Sequence, residues 1–132
     1  MSNYLVDLLT PDKVVLQDQE VKNIWVSTVK GEINILENHT HFITKLFTGL
    51  LTLQTNDGVK KLSVENGICK ILRNKITILS NSSLSKEQVD VKATKDEMSE
   101  IHQRLQKTDL MSKDAINSLY DRLDVLESHL KL

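Results

Sequence analysis

The chain has 132 residues, 27% charged and 39% hydrophobic, with 17 lysines and arginines against 18 aspartates and glutamates. That length suits one compact domain, or a small domain with an appendage, and excludes two large ones. A net charge of −1 offers no bulk attraction to nucleic acid or to a membrane surface.

The opening MSNYLVDLLT has no basic segment followed by a long apolar one, and no stretch approaches the ~20 apolar residues of a membrane span. A chain neither secreted nor inserted is expected. From Tyr4 to about Asn81 the apolar pattern has period two, in runs such as YLVDLL, VKNIWVSTV, INIL, FITKLF, LLTLQT, VKKLSV, ICKIL and KITIL. Short antiparallel strands with frequent turns predict an all-β sandwich or flattened barrel of about ten strands. Its inward set is expected to be Val6, Leu8, Ile24, Val26, Ile35, Leu53, Leu62, Val64, Ile76 and Ile78.

Trp25 lies between Ile24 and Val26, so alternation puts it on the opposite face from them. It is either an interface anchor or packed within the chain. The stretch GEINILENHTHFIT, from Gly31 to Thr44, holds His39 and His41 at i and i+2, a spacing that on a strand could aim two metal ligands at one side. A closed zinc site wants four N or S ligands, and only Glu37 stands beside this pair, so no metal is expected.

Asn56-Asp57-Gly58 reads as a tight hairpin turn, and Arg73-Asn74-Lys75 as another. Cys69, the single cysteine, cannot form an internal disulfide and is expected as a buried, inert thiol in a reducing compartment.

After Asn81 the period changes. SNSSLSKEQ is a polar hinge in which Ser85 and Gln88 have capping-box spacing, and the domain boundary is expected between residues 83 and 84. Val91, Thr94, Met98, Ile101 and Leu105 then fall at heptad spacing, as do Ile116, Leu119, Leu123, Leu126 and Leu130. The pattern predicts a C-terminal antiparallel hairpin of two helices, the second capped by Ser112 with Asp114 in its first turn. Each seam is narrow, so the hairpin is expected to hold only loosely to the sandwich. It is either a plain structural cap or a moving part.

No Gly-rich phosphate loop, nucleophile turn, HExxH or CxxC pattern occurs. Asp96, Glu97 and Glu100 read as a solvated helix face, and His102 and His129 are likewise expected to be exposed. Nothing here reads as an active site.

LLTPDKVV at Leu8–Val15, EVKNIWVST at Glu20–Thr28, the Gly31–Thr44 stretch and VENGICKILRNKITILS follow one another in an order that resembles the epsilon subunit of F-type ATP synthases of bacteria and plastids. The likeness spans nearly the whole chain. Gly31, Glu32, Ile33, Ile35, Leu36, His39 and Thr44 match the family's signature Gly-Glu-hydrophobic-Gly-Ile-Leu-Pro-Gly-His-Ala-Pro. Glu37-Asn38 stands in place of Pro-Gly, Thr40-His41 in place of Ala-Pro, and Glu65-Asn66 weakens the double-glycine turn before Gly67. Asn38 and Asn66 are expected to keep those turns, because asparagine tolerates left-handed backbone.

The resemblance implies a non-catalytic rotor part of the central stalk, turning with the gamma subunit and the c ring while catalysis occurs on the beta subunits. It implies a position peripheral to a bacterial plasma membrane, on the cytoplasmic side, or to a thylakoid membrane on the stromal side. Gly31, Glu32, Ile33, Asn38 and His39 would lie at the end meeting the c ring and gamma, while His41 has no family counterpart. The hairpin, with Ile116, Leu119, Leu123 and Leu126, would be the element that can restrain ATP hydrolysis. The family's Ile/Leu-Asp-x-x-Arg-Ala ATP motif is degraded here: Asp90 remains, but Ala93 stands at the Arg position and Thr94 at the Ala position. Without the guanidinium no bound cofactor is expected. The rival reading is a stand-alone β-sandwich binding module with a helical cap, and an enzyme would have only the two loop histidines behind it.

Overall fold

Val6 and Leu8 alternate with Leu5, Asp7 and Leu9, so the first strand, β1 (Tyr4–Leu9), is buried on one side and open on the other. The same logic recurs along the chain in this computed structural model, which describes residues 4–28, 31–35 and 41–132, with the backbone alone at residue 42. It builds β2 (Val14–Val21), β3 (Asn23–Thr28), β4 (Gly31–Asn34), β5 (Phe42–Leu46), β6 (Gly49–Thr55), β7 (Gly58–Val64), β8 (Gly67–Leu72) and β9 (Lys75–Ser80).

These nine strands among the described residues, where about ten are expected for the chain, form two sheets, ordered β2-β1-β9-β8-β5 and β4-β3-β6-β7. Every residue of the expected inward set is buried. Val21, Leu46, Leu51, Cys69 and Ile71 complete the core between the sheets. Burial also pushes the Cys69 thiol up to about 11, which leaves it protonated and inert.

One pairing departs from the antiparallel expectation: β1 runs parallel to β9, with Val6 opposite Ile76 and Leu8 opposite Ile78. The strand missing from the period-two runs is β2. Its alternation is interrupted at Asp18, whose φ is 50°, and the β1–β2 register shifts between Val6 and Leu8.

The turns follow their sequences with one difference. Thr55 pairs with Gly58 across Asn56-Asp57, and Gly58, at φ 125°, rather than Asp57 takes the positive φ. Arg73 (φ 58°) and Asn66 (φ 36°) supply the left-handed residues of the next two turns in the fold, so Asn66 does keep its turn; Asn38 lies outside the described residues. Gly49 has a different reason: a Cβ there would sit 1.8 Å from the Ser27 carbonyl oxygen, so β3 and β6 approach this closely only because the side chain is missing.

Beyond β9, Ser80 Oγ donates to the Ser82 carbonyl and Ser82 Oγ to Glu65 Oε2, while Ser63 N–H donates to the Leu84 carbonyl (2.9 Å) and Leu84 N–H to the Ser63 side-chain Oγ (2.9 Å). The segment expected as a polar hinge is thus tied to the end of β7 and to Glu65 just beyond it. The Ser85/Gln88 pair closes a single 3₁₀ turn (Lys86–Gln88) and does not start the first long helix. That helix, α1 (Val91–Leu105), is capped instead by Asp90, and α2 (Lys113–Leu130) by Ser112, whose Oγ accepts from Ala115 N–H at 3.1 Å.

Ile101, Leu123 and Leu126 form the buried seam between the helices, flanked by Met98, Leu105 and Leu119. The hairpin does not hang loosely, however. A second stripe of α2, Val125, Ser128 and His129, is buried where the helix lies on β6 and β7. The expectation that His129 is exposed is therefore corrected: positions i, i+3 and i+4 make a face, and here that face is small and polar enough to read as solvated. His102 is exposed as expected.

Candidate interaction surfaces

Among the described residues no group of three or more metal-ligating side chains comes together, and no helix is long and apolar enough to cross a membrane. The features left to explain are surfaces. The outer side of the five-stranded sheet carries leucine and isoleucine where a solvated sheet would carry polar residues: Leu79 and Ile68 are each 47% exposed and Ile43 is 68% exposed.

Register explains how they meet. Leu9 pairs with Leu79 across β1–β9 and Leu79 with Ile68 across β9–β8, so the three form one row over adjacent strands. With Pro11 and Ile43 they line an open depression of about 860 Å³. A second depression, about 420 Å³, lies toward the β8–β9 turn between Leu5, Leu72 and His41. An apolar area of this kind with polar neighbours marks an interaction site.

Its polar margin is fixed by charge. Lys75 binds Asp7 (3.2 Å) and Asp18, while Asp18 N–H donates to Asp7 Oδ1 at 2.8 Å. The Asp18 amide, with further help from Lys75, holds the Asp7 carboxyl below the usual carboxylate range against the opposing effect of burial. The two carboxylates in turn raise Lys75. Sequence reading missed this face because each strand alternates correctly, and alternation shows only that one side is buried. The available signal was Leu5, Leu9, Ile43, Ile68, Leu72 and Leu79, all at positions of the polar phase.

Of the expected interface residues, Gly31, Glu32 and Ile33 lie on β4, the edge of the four-stranded sheet, exposed, with Gly31 at φ 124°. Asn38 and His39 lie outside the described residues. Trp25 is half-buried on the outer side of the same four-stranded sheet, opposite in phase to Ile24 and Val26. His41 is exposed at the rim of the smaller depression.

Asp90, Ala93 and Thr94 form the first turn of α1. The Asp90 carboxylate accepts from Ala93 N–H (3.1 Å), and Thr94 Oγ donates to the Asp90 carbonyl (2.8 Å). The one charged group of the degraded motif is thus a helix cap.

In the hairpin, Leu123 and Leu126 are buried, and Ile116 and Leu119 are half-buried. Arg122 crosses to α1 and donates two bonds to the Glu97 carboxylate, at 3.0 and 3.1 Å. Below it, Ser128 Oγ donates back to the Val125 carbonyl at 2.6 Å, while His129 Nε2 has no hydrogen-bond partner among the described residues. Burial, reinforced by Arg122, lowers the His129 pKa below its ordinary value; Glu65 and Glu97 oppose this.

Residues 3–86 match the family described as ATP synthase, Delta/Epsilon chain, beta-sandwich domain. The chain is 35% identical over 96 residues to an ATP synthase epsilon chain of Bdellovibrio bacteriovorus, covering 71% of this chain and 69% of that one. It is 30% identical over 100 residues to a chloroplastic ATP synthase epsilon chain of Tupiella akineta, covering 76% of each. In three dimensions it superposes on a chain of the Euglena gracilis mitochondrial ATP synthase (OSCP/F1/c-ring, rotational state 1) with a TM-score of 0.80, at 17% identity, over 99% of this chain and 81% of that one. A chain of the Tetrahymena thermophila mitochondrial ATP synthase central stalk and c ring gives 0.61, at 15% identity, over 97% and 94%. These likenesses carry the fold, and the sequence matches carry the family: the chain belongs to the ATP synthase delta/epsilon family, as a non-catalytic, epsilon-type subunit.

Proposed function

We propose that this chain is the rotor subunit that couples gamma to the c ring, with the outer side of the five-stranded sheet as its gamma-binding face. The observation that carries the reading is the exposed row Leu9–Leu79–Ile68 with Ile43, too apolar to stay in water in a family whose members work in a complex. Gly31, Glu32 and Ile33, exposed on β4, contribute to the contact with the c ring and gamma; the same role is proposed for Asn38 and His39, which lie outside the described residues. The setting is the surface of an energy-coupling membrane, cytoplasmic in a bacterium or stromal in a plastid, and the chain attaches to it through its partners.

The hairpin acts as a weak brake on ATP hydrolysis or mainly as a structural cap. From Ser112 to Leu132 it carries Lys113, Arg122 and Lys131 against Asp114, Asp121, Asp124 and Glu127, three basic and four acidic residues, for a net charge of −1 without His129. Arg122 is already engaged by Glu97, so few cations are left for an acidic surface on the catalytic beta subunits. Each such surface pair contributes only ~0.2–1 kcal/mol.

The test is binding of purified gamma subunit to this chain and to its Ile68→Asp, Leu79→Asp variant. Both side chains are about half exposed, so the variant keeps its fold while burying two charges at the docking face. The expected result is affinity weaker by about 30-fold or more, the scale of a lost hot spot. Equal affinity would put gamma on another face.

A further inference from the structure

On the side of the sandwich where β2 and β7 are the two outermost strands, their edges and the 3₁₀ turn enclose an open groove of about 870 Å³. Lys13, Lys60, Lys61 and Lys86 line it, and among the described residues none of the four has a carboxylate within ion-pair distance. Glu87 is the one acidic side chain in the lining. Val14 and Val59 stand beside the lysines, 56% and 65% exposed.

The backbone of β7 is also open there. Along a strand, alternate residues direct both N–H and C=O to the same side. Ser63 N–H leaves the sheet to meet the Leu84 carbonyl, so Lys61 and Val59, in the same phase, direct theirs outward too. Residues 82–84 cover this edge as far as Ser63, and the chain then turns away into the 3₁₀ segment. The first stretch of β7, Val59–Lys61, keeps an edge that none of the described residues pairs with.

We infer that this groove takes an extended acidic segment of a partner protein, added as a further strand on the Val59–Lys61 edge of β7. The ladder would come from backbone bonds at Val59 and Lys61, apolar side chains would lie against Val14 and Val59, and carboxylates would meet the lysines. Charge selects the occupant. A second copy of this chain pairing edge to edge would set Lys60 and Lys61 against the same lysines, which blocks self-association. An acidic strand meets the opposite condition, with attraction that steers approach and fixes register.

The experiment uses the full chain and a short labelled peptide of alternating glutamate and valine, read by fluorescence anisotropy and by amide hydrogen exchange. Binding should appear at low salt, weaken steeply as salt rises, and slow exchange at Val59 and Lys61. Lys60→Glu with Lys61→Glu should weaken it by about tenfold or more. Lys61→Pro removes an edge N–H that the β6–β7 ladder does not use, a place where a strand tolerates proline, and should also abolish binding. Circular dichroism checks that each variant is folded. The inference is overturned if the peptide does not bind at low salt, if binding survives Lys61→Pro, or if inorganic polyphosphate displaces it while the amides of Val59 and Lys61 stay unprotected, which would mark a bare anion site.

Discussion

Replacing Leu126 by alanine should unfold the helical hairpin and leave the sandwich standing. Leu126 is 2% exposed, and with Ile101 and Leu123 it makes up the whole fully buried seam between α1 and α2. Truncating a buried leucine costs ~2–5 kcal/mol, more where the surroundings cannot collapse into the space. With Val125 buried against the sandwich, the hairpin's four buried aliphatic side chains contribute only ~1.5–3 kcal/mol each before the entropy of ordering the helices is set against them. Helices of 15 and 18 residues are marginal on their own in water, so the remainder cannot hold them. The sandwich has its own cluster of 15 buried residues, none of them on the hairpin. Urea titration followed at 222 nm should show the helical midpoint falling by ~1 M or more, while the amide resonances of β8 and β9 keep their parent midpoint. Loss of both signals together would show one cooperative unit and refute the two-part account. A helical midpoint within ~0.3 M of the parent would refute the importance of the seam.

Gly49→Ala should destabilise the sandwich by about 2 kcal/mol or more, because its Cβ would fall 1.8 Å from a backbone oxygen of β3 that cannot move without breaking the β3–β6 ladder; differential scanning calorimetry reads this as a drop of about 10 °C. His129 makes hairpin stability pH-dependent: its folded pKa lies below the unfolded value, so its contribution is complete above about pH 7 and is lost as pH falls through the unfolded value toward the folded one. Helical melting followed between about pH 7.5 and pH 5.5 should show that loss, and His129→Gln should flatten it. Deleting the residues after Gln88 keeps the bonds from Ser82 to Glu65 and between Leu84 and Ser63 of β7, and should leave a cooperatively folding sandwich. In the assembled enzyme the same deletion should raise ATP hydrolysis by less than about tenfold, or ~1.4 kcal/mol on the barrier; a larger rise would show a strong brake.

Alternation exposed the sandwich because its burial is one-sided: Val6 with Leu8, Ile24 with Val26 and Ile76 with Ile78 each repeat at i and i+2. It hid β2, where the left-handed Asp18 breaks the phase, and it hid the parallel β1–β9 pairing, which depends on contacts far apart in sequence. Heptad spacing gave the helix seam but could not give the second buried stripe of α2. Ser128 and His129 are buried by their position over β6 and β7, and no local propensity signals that. The apolar outer row followed the same pattern. Leu79 and Ile68 are ordinary strand residues singly, and only the register that aligns them with Leu9 makes a surface. The family was legible in the ordered motifs, although the Gly31–Thr44 signature is the part that departs most from its pattern.

The central claim, a rotor subunit joining gamma to the c ring, is tested most directly by affinity purification of the tagged full-length chain from its own cells under mild detergent. The account predicts that gamma, the catalytic subunits and the c subunit are recovered together, and that Ile68→Asp with Leu79→Asp removes them. Recovery of the unaltered chain alone, or with partners that include neither gamma nor the c subunit, would contradict it.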